Sequence, residues 1–166
     1  LVPNAAVLNS DFSQRVGLEL TTGGEVINAV EAVVRYDPEA VKVEDVLFAH
    51  SLCAPQFFIE KSIDEKNGVV HLACIIPSPG FLGDTAVVAE LLLRPLRNGS
   101  FELRFGDETR VLANDGLGTD VLRLATNASY QVFSEGAAQK KPVVFSHTHP
   151  NPEAWTGKIL PEAPVA

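Results

Sequence analysis

Two histidines near the C-terminal end have the spacing of a small metal site. His147 and His149 lie two residues apart, so both imidazoles would face the same way in an extended segment, and Glu153 is the next candidate ligand. The alternative is that they are ordinary residues of a proline-rich loop. His71 lies in an apolar run instead, which is typical of a half-buried histidine with satisfied hydrogen bonds rather than of a metal ligand.

A second possible set of ligands lies in a glycine-rich loop. Asn114, Asp115 and Asp120 offer the oxygen atoms that Ca²⁺ prefers, but calcium takes about six to eight oxygen ligands, and the spacing is not that of an EF-hand. They are therefore weak calcium candidates, and we predict no other cofactor. The alternative is a tight connection in which the Asn and Asp side chains accept hydrogen bonds from the loop backbone.

Catalytic patterns are missing from the sequence, which contains neither Gly-x-Ser-x-Gly nor His-Glu-x-x-His. The adjacent acidic pairs Asp64-Glu65 and Asp107-Glu108 are typical of solvated loops, and their spacing alone does not make them a glycosidase pair. We therefore predict that the chain is not an enzyme.

The two cysteines, Cys53 and Cys74, leave two alternatives open. They do not form a Cys-x-x-Cys motif, so no zinc or thioredoxin-like motif is present. They could form one disulfide, which would place the protein outside the cytosol, or they could remain two buried free thiols.

Aromatic side chains offer a third kind of site, a flat platform for sugar rings. Such platforms usually use exposed Trp or Tyr, whereas Phe is more often part of the core, and the chain has one Trp. A carbohydrate-binding function therefore stays an alternative. The candidate residues are Phe57, Phe58, Phe81, Tyr130 and Trp155.

Composition limits the partners of the chain. Its 166 residues are 46% hydrophobic, and 13 basic against 21 acidic side chains give a net charge of −8. An acidic surface repels phosphate backbones and anionic membranes, so we expect neither nucleic acid nor membrane insertion. The sequence has no signal peptide and no apolar run long enough to cross a membrane. It also has no Met, so we expect it to be an excerpt of a longer protein.

Clusters of Gly, Pro, Asn and Asp, which are typical of turns, recur about every ten residues. The short runs between them alternate in hydrophobicity or are rich in β-branched residues. This pattern predicts an all-β sandwich with two antiparallel sheets. We place the domain at residues 1–135, followed by a Pro-rich linker or tail at 136–166 that leads toward a further domain. The predicted strands, in order, are 16–20, 27–36, 41–48, 57–63, 69–76, 87–93, 101–105, 110–113, 121–124 and 129–133.

Two of these strands, 69–76 and 87–93, are apolar on both faces, although a sandwich strand normally has one solvated face. Either loops cover the outer face of these strands, or that face meets a partner or a neighbouring domain.

Several segments carry a resemblance to a known family. Residues 26–38 contain Asn28-x-x-Glu31 and Tyr36-Asp37-Pro38. The same resemblance extends to the turn at Asp64–Gly68 and to the two segments Pro79–Gly83 and 111–122. Over residues 13–133 the chain resembles the cohesin domain, the receptor module of cellulosome scaffoldins and of many bacterial surface proteins. The segment from Ser146 to Trp155 is similar to one that follows cohesin-like domains in large surface proteins.

This resemblance implies a jelly-roll sandwich of about nine strands, secreted or at the cell surface, without catalytic residues. Secretion in turn favours a Cys53–Cys74 disulfide, with the two cysteines at the start of the fourth and near the end of the fifth predicted strand.

The resemblance also implies a protein partner. Cohesins bind dockerin, a small helical module, on the sheet formed by their third, fifth, sixth and eighth strands. Generic surface adhesion, carbohydrate binding and a passive spacer role are the alternatives. Mapped onto the predicted strands in order, the outward partner-binding positions are Lys42, Glu44, Leu72, Glu90, Leu92 and Arg110.

Overall fold

The computed structural model describes residues 1–134 as a sandwich of two β-sheets, which confirms the predicted all-β class. Apart from strands, the only regular element of this part is the 3₁₀ turn Pro55–Phe57, and no helix in it is long and apolar enough to span a bilayer. The strands are β1 (Ala5–Asn9), β2 (Gln14–Leu20), β3 (Ile27–Tyr36), β4 (Val41–Leu47), β5 (Phe58–Asp64), β6 (Val69–Ile75), β7 (Ala86–Pro95), β8 (Gly99–Phe105), β9 (Arg110–Ala113) and β10 (Ala128–Phe133).

The two sheets differ in width. The larger sheet has seven strands in the order β1-β10-β8-β3-β6-β5, with β9 also paired to β3, and the smaller has the order β2-β7-β4. All pairs are antiparallel except β1 with β10, which run parallel.

Period-two alternation builds the core between the sheets. In β3 the inward side chains are Val30, Ala32 and Val34, and they pair across to Cys74, Leu72 and Val70 of β6, all buried. Tyr130 of β10 is fully buried and donates its hydroxyl hydrogen bond to the Pro3 carbonyl oxygen at 2.6 Å. Burial of this apolar layer is the main force that holds the sheets together.

Two strand assignments from the sequence were wrong. Strand β1 was missed because it is short and has only one strongly apolar inward residue, Leu8. The predicted strand 121–124 is not a strand, because Asp120 Oδ1 accepts hydrogen bonds from the Val111 and Leu122 backbone N–H groups (3.2 and 3.1 Å). These bonds end the pairing beside β9, and the chain continues as an irregular strap.

The turn between β5 and β6 depends on a glycine. Gly68 has a φ of +65°, and a Cβ there would lie 2.1 Å from the Tyr36 carbonyl oxygen. Asp64 Oδ1 accepts hydrogen bonds from the Lys66 and Asn67 backbone N–H groups, and Oδ2 accepts one from the Asn67 side chain at 2.6 Å. This last bond is the main reason why the pKa of Asp64 is lowered.

A disulfide joins Cys53 to Cys74, with both residues buried and their Cα atoms 6.1 Å apart. Cys74 lies near the end of β6 as expected, but Cys53 precedes the 3₁₀ turn and is not at the start of a strand. The neighbouring Leu52 N–H donates to the Val87 carbonyl oxygen at 2.6 Å, so the Cys53 loop is attached to the smaller sheet. The disulfide therefore links the two layers of the sandwich.

Candidate functional site

The six predicted partner-binding residues do not share one surface. Lys42 and Glu44 of β4 lie on the outer face of the smaller sheet together with Glu90 and Leu92 of β7, whereas Arg110 of β9 lies on the larger sheet. The two sheets are opposite layers, so no single flat partner contacts both sets.

Leu72 was wrongly expected to face outward, since its side chain is 1% exposed and packs in the core. Its cross-strand neighbour Ala32 also points inward, so the register of β6 on β3 sends Val69, His71, Ala73 and the Ile75 side chain outward instead.

Ion pairs dominate the outer face of the smaller sheet. Arg94 Nε donates to Glu44 Oε1 at 2.8 Å, and the Ser13 hydroxyl donates to Glu44 Oε2 at 2.6 Å. The Ser13 bond and then Arg94 lower the pKa of Glu44. Arg15 lies 3.5 Å from Glu90, and half-buried Leu92 is the apolar residue between these charges. These charges are thus paired with one another, although Glu90 Oε2 is buried and accepts no hydrogen bond from the described residues.

The outer face of the larger sheet has an exposed apolar end. Ala29 of β3 pairs with Ile75 of β6 on one side and with Leu112 of β9 on the other. Ile59, at the irregularity where β5 leaves its register with β6, is 68% exposed, and Ile75 is 44% exposed. These four residues, Ala29, Ile59, Ile75 and Leu112, are called the apolar patch below.

A charged group borders the apolar patch. His71 Nε2 lies 2.9 Å from Glu31 Oε1, and His71 Nδ1 lies 3.0 Å from Glu60 Oε1. Only a protonated imidazole can donate to both carboxylates at once. The interpretation of His71 as half-buried and hydrogen-bonded is confirmed. Arg110 pairs in register with Glu31, so one of the six predicted residues does belong to this face.

The turn between β8 and β9 lies beside β3 near the centre of the larger sheet and continues its pairing. Gly106 N–H donates to the Val33 carbonyl oxygen at 2.8 Å, and Thr109 Oγ1 bonds both the N–H and the carbonyl of Val33 at 3.2 Å. Arg35 pairs with Glu108 at 2.5 Å. A hydrogen bond from its own backbone N–H is the largest effect that lowers the pKa of Glu108, and Arg35 lowers it further.

The possible calcium ligands serve the loop that contains them. Asn114 donates to the Pro79 carbonyl oxygen at 2.8 Å, and Asp115 accepts from the Leu117 N–H and from the Thr119 hydroxyl. The Thr119 bond is the main reason why the pKa of Asp115 is lowered. Over residues 1–134, no three His, Cys, Asp or Glu side chains converge as they would around a metal. A calcium site at Asn114, Asp115 and Asp120 stays a prediction.

Three of the four aromatic candidates in the described part are packed and not available as a sugar platform. Tyr130 is in the core, Phe58 packs against Phe48 with ring centroids 4.0 Å apart, and Phe81 is partly buried against the core. Phe57, in the 3₁₀ turn, is 37% exposed and is the one exposed candidate of this set. Trp155, the possible metal ligands His147, His149 and Glu153, and the tail at 136–166 lie outside the described residues.

Comparison with known proteins identifies the fold. No family model and no curated protein matches the chain. The solved structures that match include the solution structure of CaCohA2 from Clostridium acetobutylicum, with a TM-score of 0.66 at 17% identity over 81% of this chain and 88% of that one.

A second match is the cohesin–dockerin complex Coh-OlpC-Doc435 from Clostridium thermocellum, with a TM-score of 0.64, 14% identity and coverage of 78% and 90%. A third is the non-cellulosomal cohesin of the archaeon Archaeoglobus fulgidus, with a TM-score of 0.61, 18% identity and coverage of 79% and 87%. Residues 1–134 thus have the fold of a cohesin domain.

Proposed function

We propose that this domain is a non-catalytic module that captures a protein partner, either a dockerin-like module or a related cell-surface protein, outside the cell. The observation that carries the proposal is the fold shared with cohesins that were solved bound to dockerins, namely CaCohA2 with CaDoc0917 and the OlpC cohesin with Doc435. The Cys53–Cys74 disulfide supports an extracellular location, because such bonds persist in oxidising compartments.

We further propose that the partner docks on the outer face of the larger sheet. Counted with β1 included, the third, fifth, sixth and eighth strands all belong to this sheet, which is where the resemblance puts the dockerin site. The apolar patch beside the Glu31–His71–Glu60 group has the composition of an interface, an apolar centre with a polar rim. The described residues on the outer face of the smaller sheet form no comparable apolar area, since Leu92 is half-buried between the paired charges of Glu44 and Glu90.

A pair of matched substitutions tests both statements. Doc435 and CaDoc0917 serve as probes, and binding is measured by titration calorimetry with Ile75→Asp on the larger sheet and Leu92→Asp on the smaller one. We expect Ile75→Asp to weaken binding about 30-fold or more, as at an interface hot spot, and Leu92→Asp to leave the affinity unchanged.

Each outcome separates the two proposals. If Leu92→Asp abolishes binding and Ile75→Asp does not, the docking face is the smaller sheet, while the module function stands. If neither dockerin binds the unmodified domain, the dockerin-like partner is contradicted. Thermal unfolding of both variants shows that the sandwich is intact.

A further inference from the structure

The sandwich contains a cavity that the docking face does not use. A space of about 700 Å³ opens between the two sheets at one end and reaches into the core. Protein interiors rarely contain voids much larger than a water molecule, whereas pockets for small molecules span roughly 300–1,000 Å³. This space therefore has the size of a ligand site.

Aliphatic side chains from both layers form its walls. Ile27, Val30 and Ala32 of β3 line one side, and Leu18 of β2 with Val88 of β7 lines the other. All five residues are buried. Val30 and Ala32 lie in regular register on β3, whereas Ile27, Leu18 and Val88 lie at the two register irregularities of β3 with β9 and of β2 with β7. The walls thus belong to the scaffold of the fold.

The cavity exists because of two features of the sequence. Ala32 lies at the centre of β3 between the inward residues Val30 and Val34. Its small side chain leaves space between the two sheets at this point. The strap at 121–126 crosses the opening without filling it, because it leaves the ladder after Val121 donates to the Val111 carbonyl oxygen at 2.8 Å.

We infer that this cavity binds the unbranched aliphatic chain of a small amphiphile, with the polar end of the ligand at the strap. The buried walls have no charged side chain, and the charged side chains that line the cavity, Glu19 and Arg123, are exposed and opposite in sign. The amino group of Leu1, also at the lining, donates to the Thr126 carbonyl oxygen of the strap at 3.3 Å. Exposed hydroxyls of Thr85 and Thr126 are also at the lining. An apolar wall with a mixed polar opening selects the chain and not a particular head group.

A series of linear alcohols from 1-butanol to 1-octanol probes the site. Each buried methylene adds about 0.8 kcal/mol, which is about a fourfold gain in affinity, so dissociation constants should fall about fourfold per carbon. In methyl NMR spectra, 1-octanol should give nuclear Overhauser effects to the methyl groups of Val30 and Val88. Affinity that does not change with chain length, or an absence of these effects at saturation, overturns the inference.

Two Ala→Phe substitutions locate the site. Ala32→Phe fills the cavity and should weaken 1-octanol binding at least tenfold, whereas Ala49→Phe, at an exposed position that does not line the cavity, should leave it unchanged. Equal affinity in both variants also overturns the inference. If Ala32→Phe does not fold, the NMR contacts of the unmodified domain decide. Dockerin binding is not needed for either measurement, so the inference fails or stands apart from the proposed docking function.

Discussion

Breaking the Cys53–Cys74 disulfide should destabilise the domain by an amount that its position predicts. The two cysteines are 21 residues apart in sequence, and in the chain-entropy model a loop of this size corresponds to about 3 kcal/mol at 25 °C. Since a domain of this length loses about 3 °C of melting temperature per kcal/mol, Tm should fall by roughly 10 °C.

The assay compares three forms of the domain in urea. These are the oxidised domain, the same domain fully reduced, and the double variant Cys53→Ala/Cys74→Ala. The reduced form is the control, because it keeps both buried sulfurs and so separates loss of the cross-link from loss of packing. In the chain-entropy model the cross-link acts by restricting the unfolded chain. Without it the unfolded chain exposes more surface, so the free energy of unfolding should also fall more steeply with urea concentration.

Two results would refute this reasoning. One is a loss of less than about 1 kcal/mol on reduction, which would mean that the layers are held together without the cross-link. The other is the detection of two free thiols per chain in denatured protein purified without reductant, which would mean that the bond does not form.

Three further predictions concern the turn and the core. Gly68→Ala should cost roughly 2–4 kcal/mol in urea unfolding, because an alanine Cβ would meet the Tyr36 carbonyl oxygen at a positive φ, and a loss below 1 kcal/mol would contradict this. Burial raises the pKa of Tyr130 to about 12, so the native state holds its proton longer than the unfolded chain, and the free energy of unfolding should decrease between pH 10 and 12. Tyr130→Phe should make that decrease smaller, and an equal dependence of the free energy of unfolding on pH in both proteins would contradict the role of Tyr130. The Asn67 side chain lowers the pKa of Asp64, so the ionised Asp64 stabilises the native state above about pH 4, and this contribution is lost as the pH falls further. In Asp64→Asn the free energy of unfolding should therefore decrease less steeply below about pH 4, and an unchanged decrease would contradict this.

The sequence predicted the strands well where one local pattern decided the outcome. In β3 the alternation of Val30, Ala32 and Val34 and the stop at Asp37-Pro38 gave the correct element and the correct end. In β6 both faces are similarly apolar, so hydrophobicity alone could not show which one is buried, and only the long-range pairing with Ala32 decides it.

The candidate site was harder to predict because its parts are distant in sequence. Glu31 and His71 are 40 residues apart, and they meet only because β3 and β6 pair in one register, while Glu60 comes from a third strand. The missed β1 then shifted the strand count by one, which moved four of the six predicted residues onto the smaller sheet. A signal was present in Glu31, which lies in the Asn28-x-x-Glu31 motif, but no local pattern named its partners.

The parallel pairing of β1 with β10 determines how the domain responds to tension. Ala5 lies opposite Ser129 and Asn9 opposite Phe133, so a pull on Ala5 and a pull on Phe133 act in opposite directions along two adjacent strands. Under that load the hydrogen bonds between them are sheared together and do not open one after another. A pull applied through residues at the two ends of the sandwich would thus load this pair in shear.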